Sequence, residues 1–254
     1  MPTYSVSAFT LSRRSIGEAD RALTLYTREL GKLSAAAKGS RRPGSKLSGA
    51  TEPFTRMNLL LASGRSLDII TQCEITWSYP GIREDIDRIA RASYLCELLE
   101  ALTHERDASA SQPIFDLMHA SFLMLEQGGA WVEAPVHAAE VRLLSHLGYA
   151  PAMDRCAYCG QGISDRAAWF SASMGGALCS EDGDKGADAI RVSSETLNLL
   201  RTFATCNPNM LLGMPPPSVK AACETASSIR RFIRFRSERR LKSAEFLDSL
   251  RASG

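Results

Sequence analysis

Hydrophobic period changes once along this 254-residue chain, at Pro80-Gly81, and the fold has to change with it. Before that point the pattern is that of β-strands. Tyr4, Val6, Ala8 and Thr10 alternate with small polar residues, the period of a half-buried strand. A loop at Ser15-Ile16-Gly17-Glu18 separates this run from Ala22–Thr27. A turn at Glu29-Leu30-Gly31-Lys32 leads to a third strand, Leu33–Lys38. After a long loop a fourth strand is expected over Phe54–Ala62. Ser63-Gly64-Arg65 then makes a hairpin turn into a fifth, Leu67–Trp77. Five short strands in this length predict a small closed barrel. An OB-fold and an SH3-like barrel both satisfy the strand count.

Beyond Gly81 the period is helical. Ile82, Ile86, Ile89, Leu95, Leu98, Leu99 and Leu102 make one apolar face, with Glu84, Asp85 and Asp87 in the first turns where the helix dipole favours carboxylates. His104–Ser111 reads as a linker. Pro113 opens a second helix that Gly128-Gly129 ends, and Pro135 opens a third that stops at Gly148. Ser193 or Ser194 caps a fourth, and a last helix runs from about Ser218 to Arg236. The fold class expected is therefore α+β: a domain of residues 1–80 built as a five-stranded barrel, then an α-helical domain of residues 81–254.

The net charge of +2 is a sum of unlike parts. Residues 1–80 carry +5, residues 81–190 carry −9, residues 191–220 carry +2 and residues 221–254 carry +4. A basic head and tail flanking an acidic middle suggest an anionic partner at the ends. The sharpest concentration is Lys38-Gly39-Ser40-Arg41-Arg42-Pro43-Gly44-Ser45-Lys46. Cations neutralise phosphates, glycines let a backbone approach closely, and serine hydroxyls bond phosphate oxygens. The candidate nucleic-acid-binding residues are thus Lys38, Arg41, Arg42 and Lys46, extended by Arg13, Arg14 and Arg56, with Arg28 and Lys32 as further extensions. The spacing of a phosphate-binding P-loop is absent. The run Arg230-Arg231-Phe232-Ile233-Arg234-Phe235-Arg236, followed by Glu238-Arg239-Arg240, reads as a packed helix with a basic outer edge.

The seven cysteines are an odd number at uneven spacings, a poor disulfide framework. Cys73, Cys96, Cys206 and Cys223 are isolated and read as small apolar residues. Cys156-Ala157-Tyr158-Cys159-Gly160 is a metal-binding knuckle, and nineteen intervening residues separate it from Cys179-Ser180-Glu181-Asp182. This fits the four-cysteine zinc pattern at three positions, with Asp182 at the fourth. Zinc accepts carboxylate oxygen, so Cys156, Cys159, Cys179 and Asp182 are the expected metal ligands; Glu181, Asp184 and His146 also qualify for the fourth place. The metal would be structural and would staple a zinc-ribbon-like segment, residues 152–186.

His104, His119, His137 and His146 fall in none of the hydrolase or metalloprotease contexts, so no enzyme activity and no catalytic residues are expected. No apolar run approaches the roughly 18 residues of a membrane span. The first residues do not read as a secretory signal. A cytoplasmic protein without a membrane partner is the expectation.

Assembled in order, these residues resemble the RecO family of recombination and repair mediators. Gly17-Glu18-Ala19-Asp20-Arg21, Leu25-Tyr26-Thr27-Arg28-Glu29-Leu30-Gly31, Ala37-Lys38-Gly39-Ser40-Arg41-Arg42-Pro43 and Pro53-Phe54 are similar to the family's opening barrel. Leu147-Gly148-Tyr149-Ala150-Pro151, Asp154-Arg155-Cys156, Cys159-Gly160, Phe170-Ser171, Gly175-Gly176 and Leu178-Cys179 resemble its zinc-bearing segment, and Leu241-Lys242-Ser243 its C-terminal motif. Asp182 departs from it, since zinc-binding members carry cysteine there. The resemblance implies an OB-fold barrel, binding of single- and double-stranded DNA, annealing of complementary strands, and a nucleoid-associated location. It also implies partnership with RecR and the single-stranded-DNA-binding protein to load RecA. The alternative is an RNA- or translation-associated protein, since OB barrels and zinc knuckles also serve RNA.

Overall fold

A computed structural model describes residues 2–163, 168–237, 241–244 and 246–247. Five strands form the expected barrel: β1 (Thr3–Ile16), β2 (Asp20–Thr27), β3 (Gly31–Ala37), β4 (Arg56–Ala62) and β5 (Asp68–Trp77). They close in the order β1-β2-β3-β5-β4, with β1 pairing both β2 and β4 and a short parallel contact between β3 and β5. This strand order is that of an OB-fold, which resolves the ambiguity the strand count left. Val6, Ala8, Leu23, Leu25, Leu33, Ala35, Met57, Leu59, Leu61 and Ile70 point inward and are buried. They recur at every second position, as the pleat requires. β1 is longer than its alternating run because a bulge between Thr10 and Ser12 re-aims the strand and lets it continue to Ile16. Gly31 turns β2 into β3 at φ 69°, and a Cβ there would collide with the Asp107 carbonyl.

The segment between β3 and β4 plugs one barrel end. A single 3-10 turn, Gly49–Thr51, buries Ala50 and Thr51, and the Thr10 hydroxyl donates to the Ala50 carbonyl at 2.8 Å. Phe54 does not join β4. It takes φ 64° just before that strand, which drives its ring to 6.0 Å from Phe122.

Three helices follow: α1 (Pro80–Arg83), α2 (Ile86–Leu102) and α3 (Ser111–Gln127). The expected continuous face through residue 102 is broken at Glu84-Asp85. Asp85 is extended and its carboxylate accepts from the Asp87 and Arg88 N–H groups at 2.8 and 3.2 Å. This cap restarts the helix, and Ile86, expected inside, is 61% exposed. α3 covers an aromatic joint in which Phe9 stands 4.5 Å from Phe115 and 5.6 Å from Phe122, and Tyr79 bonds His119 at 2.6 Å. Lys32 caps α2 by donating to the carbonyls of Glu100 and Thr103. On α2 the Glu97 carboxylate receives the N–H groups of Lys242 and Ser243 at 3.0 and 2.7 Å and the Ser243 hydroxyl. By contact, the first compact unit therefore holds the chain up to Gln127 together with the segment from Leu241. A boundary drawn from period falls at Pro80. One drawn from contacts falls at Gly128, because α1–α3 lay their apolar faces on the barrel.

The second unit, Gly128–Arg240, contains α4 (Ala134–His146), α5 (Ser194–Thr205), α6 (Pro208–Leu212) and α7 (Val219–Arg236). Trp131, His137 and Phe203 pack together at 5.7 to 5.9 Å. It also holds a small sheet of β6 (Ala168–Ser171), β7 (Gly176–Leu178) and β8 (Ile190–Val192), in the order β7-β6-β8. The residues of the basic tail beyond Ser237, Glu238-Arg239-Arg240, lie outside the described ones.

Candidate functional site

Two features of different chemistry stand out. The first is the basic loop after β3. The strand register places Ser15 opposite Arg21 and Arg21 opposite Ala37, so the end of β1, the start of β2 and the end of β3 share one barrel end. The loop is fastened there. Gly39 N–H donates to the Asp20 carboxylate at 2.7 Å, Arg41 N–H to the Ala19 carbonyl at 2.9 Å, and the Arg41 guanidinium to the Gly17 carbonyl at 3.4 Å. Successive turns hold the rest, from Arg42 N–H to Gly39 and from Ser45 N–H to Arg42, each at 3.1 Å. Lys38, Arg41, Arg42 and Lys46 are all exposed, and none has a salt-bridge partner among the described residues. Arg14, also exposed, stands at the same barrel end.

The other named cations are placed differently. Arg13 is paired with Glu52, and Arg21 lies 3.6 Å from the same carboxylate. Arg56 lies opposite Phe9 on β1, five residues from Arg14 and so about 17 Å along the strand. Its guanidinium sits 5.5 Å from the Phe115 ring centre. Arg28 stands 3.6 Å from Asp116, and Lys32 is spent on the α2 cap. The fold thus gathers Arg14, Lys38, Arg41, Arg42 and Lys46, and separates Arg56 from them. Phe9, Tyr26 and Phe54 are buried, and the Tyr4 hydroxyl is bound to Asp68. None of these four aromatics offers a free ring beside the loop.

The second feature is the cysteine cluster. Cys156–Gly160 forms a tight knuckle: Gly160 N–H returns to the Cys156 carbonyl at 2.9 Å, and Gly160 takes φ 75°. Cys179–Asp182 forms a turn directly after β7, with Asp182 N–H donating to the Cys179 carbonyl at 3.2 Å. The backbone bonds Ala157 N–H to Ala177 O (2.8 Å) and Ala177 N–H to Ala152 O (2.7 Å) join the two arms. Gly176, at φ 148°, lets the arms meet, since a Cβ there would strike Ala152. On α5, Arg201 holds the knuckle from behind, contacting the Asp154 carboxylate and the Met153 carbonyl at 3.0 Å and the Ile163 carbonyl at 3.3 Å.

The ligand atoms of Cys156, Cys159, Cys179 and Asp182 all lie within 4.8 Å of one another. Cys159 and Cys179 sulfurs are 4.0 Å apart, and Asp182 Oδ2 lies 3.2 Å from Cys156 Sγ and 3.1 Å from Cys179 Sγ. A tetrahedral zinc with Zn–S of about 2.3 Å and Zn–O of about 2.0 Å requires edges of about 3.8 and 3.5 Å. Those three separations lie within a few tenths of an ångström of these edges, and the four ligand atoms converge closely enough that the quartet could hold such an ion. Glu181, Asp184 and His146 are not in it. Asp182 organises the cluster: hydrogen bonds from Cys159, Cys179 and Cys156 hold its carboxyl below the usual range. The same bonds push the Cys159 thiol up to about 12 and raise Cys179. Burial would raise Cys156 too, but the N–H groups of Cys159, Cys179 and Tyr158 outweigh it and lower that thiol.

Residues 1–79 match the family model described as Recombination protein O N terminal, and residues 83–245 match Recombination protein O C terminal. An OB barrel followed by this helical part thus defines a protein of DNA recombination and repair. Similar curated proteins are each named DNA repair protein RecO. That of Pelotomaculum thermopropionicum is 37% identical over 98% of this chain and 94% of its own. That of Symbiobacterium thermophilum is 35% identical over the full length of both, and that of Desulforamulus reducens 30% over 98% and 96%. The chain belongs to the RecO family.

Proposed function

We propose that this protein is a non-catalytic recombination mediator. In this reading it binds single- and double-stranded DNA, anneals complementary strands and, with RecR, helps load RecA onto DNA coated with the single-stranded-DNA-binding protein. The observation that carries it is the fastened loop of exposed cations, Lys38, Arg41, Arg42 and Lys46, beside Arg14. Arg13 borders this surface and is shared with Glu52, whereas Arg56 stands apart from it as a separate candidate contact. Phosphate contacts position nucleic acid without reading sequence, so binding depends weakly on sequence. None of Tyr4, Phe9, Tyr26 and Phe54 offers a free ring beside the loop, which leaves bases available for pairing. The acidic stretch of residues 81–190, carrying −9, repels DNA and suits contacts with protein partners instead. We place the protein in the cytoplasm, at the nucleoid. Among the described residues no helix is long and apolar enough to cross a membrane.

The cysteine quartet is read as a structural zinc site held by Cys156, Cys159, Cys179 and Asp182. Four protein ligands leave no position for a reactive water, so the ion would cross-link two turns that bury little apolar surface.

The test is the salt dependence of DNA binding. Changing Arg41, Arg42 and Lys46 together to Ala should flatten the slope of log affinity against log salt. The expected change is about 2 units on single strands and about 3 on duplex if each contacts a phosphate. Wild-type slope and wild-type annealing in that variant would place the DNA site elsewhere.

A further inference from the structure

The second unit carries a cluster of cations around exposed aromatic rings at the end of α7. The last turns of α7 supply Arg230, Arg231, Arg234 and Arg236, with no acidic residue from Thr225 to Ser237. Arg231, Arg234 and Arg236 are exposed. The Arg236 guanidinium lies 5.3 Å from the Tyr149 ring centre, 5.3 Å from that of Phe232 and 5.5 Å from that of Phe235. Phe232 is buried and anchors the group against Phe170, 6.0 Å away. Tyr149 and Phe235 are not buried: they are 41% and 55% exposed.

Helix-dipole compensation accounts for cations near a helix end. It does not account for two large rings held open to water beside a guanidinium. Apolar docking alone does not account for them either, since an apolar partner would have to cover three arginines. Planar guanidinium and aromatic faces next to free positive charge suit a ligand that is itself planar and anionic, namely the bases and phosphates of a single strand.

We propose that Tyr149, Phe235 and Arg236 form a base-stacking platform for single-stranded DNA, with Arg231 and Arg234 meeting its phosphates. The proposal rests on the reading of the chain as a DNA-binding protein and adds a second subsite to it. The division of labour follows from the residues. The barrel loop has exposed cations, and none of Tyr4, Phe9, Tyr26 and Phe54 offers it a free ring. The α7 end has both, and it selects unpaired bases, because rings inside a duplex are already stacked on one another.

The test compares two fluorescent oligonucleotides of equal length, oligo-dT and a fully abasic strand with the same phosphates. Wild-type protein should bind oligo-dT at least about fivefold more tightly than the abasic strand, given the typical worth of one stacked base. Phe235→Ala and Tyr149→Ala should each reduce that ratio toward one, and Phe235→Trp should keep it. Both positions are at the surface, so circular dichroism should report an unchanged fold in all three variants. The triple barrel-loop variant should weaken binding to both strands and leave the ratio intact. If wild-type protein binds neither strand, the DNA-binding reading itself fails. If it binds both and the ratio survives Phe235→Ala and Tyr149→Ala, the platform is refuted while DNA binding stands. It is also refuted if an acidic apolar peptide competes for these rings and both ring variants bind DNA like the parent.

Discussion

Asp68 illustrates how much one buried carboxylate contributes to the barrel. Only 4% exposed, it accepts from the Gly64 N–H at 3.0 Å, from the Tyr4 hydroxyl and from Arg106, tying the ends of β1 and β5 to the α2–α3 linker. Burial alone would raise its carboxyl. The hydrogen bonds from Tyr4 and Gly64 and the Arg106 charge outweigh burial and hold it below its ordinary value. A depressed carboxyl adds stability above its unfolded value, about 3.9, and that stability is lost as pH falls through the lower folded value. Urea unfolding should therefore show stability declining below about pH 4. Asp68→Asn should flatten that acid limb, and an unchanged limb would discount this carboxylate. At neutral pH Asp68→Ala should cost about 1.5 to 3 kcal/mol, toward the lower end because Arg106 is half exposed. At the same scale, Asp182→Cys should tighten metal retention against a competing chelator. Metal analysis finding no zinc in wild-type protein purified without chelator would remove the metal reading altogether.

Elements were legible from sequence where apolar burial sets their period, and illegible where other forces do. The five barrel strands follow alternation, and the long helices follow their apolar faces and caps. β6, β7 and β8 span four, three and three residues, too few to display a period. They are held by backbone pairing and by Asp188, whose carboxylate gathers the hydroxyls and N–H groups of Ser171, Ala172 and Ser173. The cysteine quartet was legible because ligand spacing is local. The neutralisation of Arg13 by Glu52 was not, since 39 residues separate the two and only the β3–β4 crossover brings them together. Tyr149 and Arg236 are likewise remote in sequence, and no spacing rule pairs them. The knuckle's dependence on α5 gives an element-scale expectation. Arg201→Ala should speed hydrogen exchange at the amides of residues 153–163 and leave those of β1–β5 unchanged. Equal exchange in parent and variant would assign the knuckle's order to its own turns.

Across the whole chain, the first unit is completed by residues that come last. Glu97 receives Lys242 and Ser243, and Leu247 is buried. Glu97→Ala should remove a helix-cap-like interaction worth about 0.5 to 2 kcal/mol. Limited proteolysis should then cut near Leu241 faster in the variant, and an unchanged rate would show the segment is held by Leu247 and its neighbours alone. The Leu241-Lys242-Ser243 motif noted in the sequence thus has a physical occupation: its backbone amides need a carboxylate, and α2 provides one.

That return has a mechanical meaning. Because the chain leaves the first unit at Gln127 and re-enters it at Leu241, everything between is an insertion whose two attachment points belong to one body. A pull applied between β1 and Leu247 therefore loads the barrel and α2 through the Glu97 clasp. In an optical trap, the first rupture should release only the short tail after α7, and Glu97→Ala should lower the force at which it occurs.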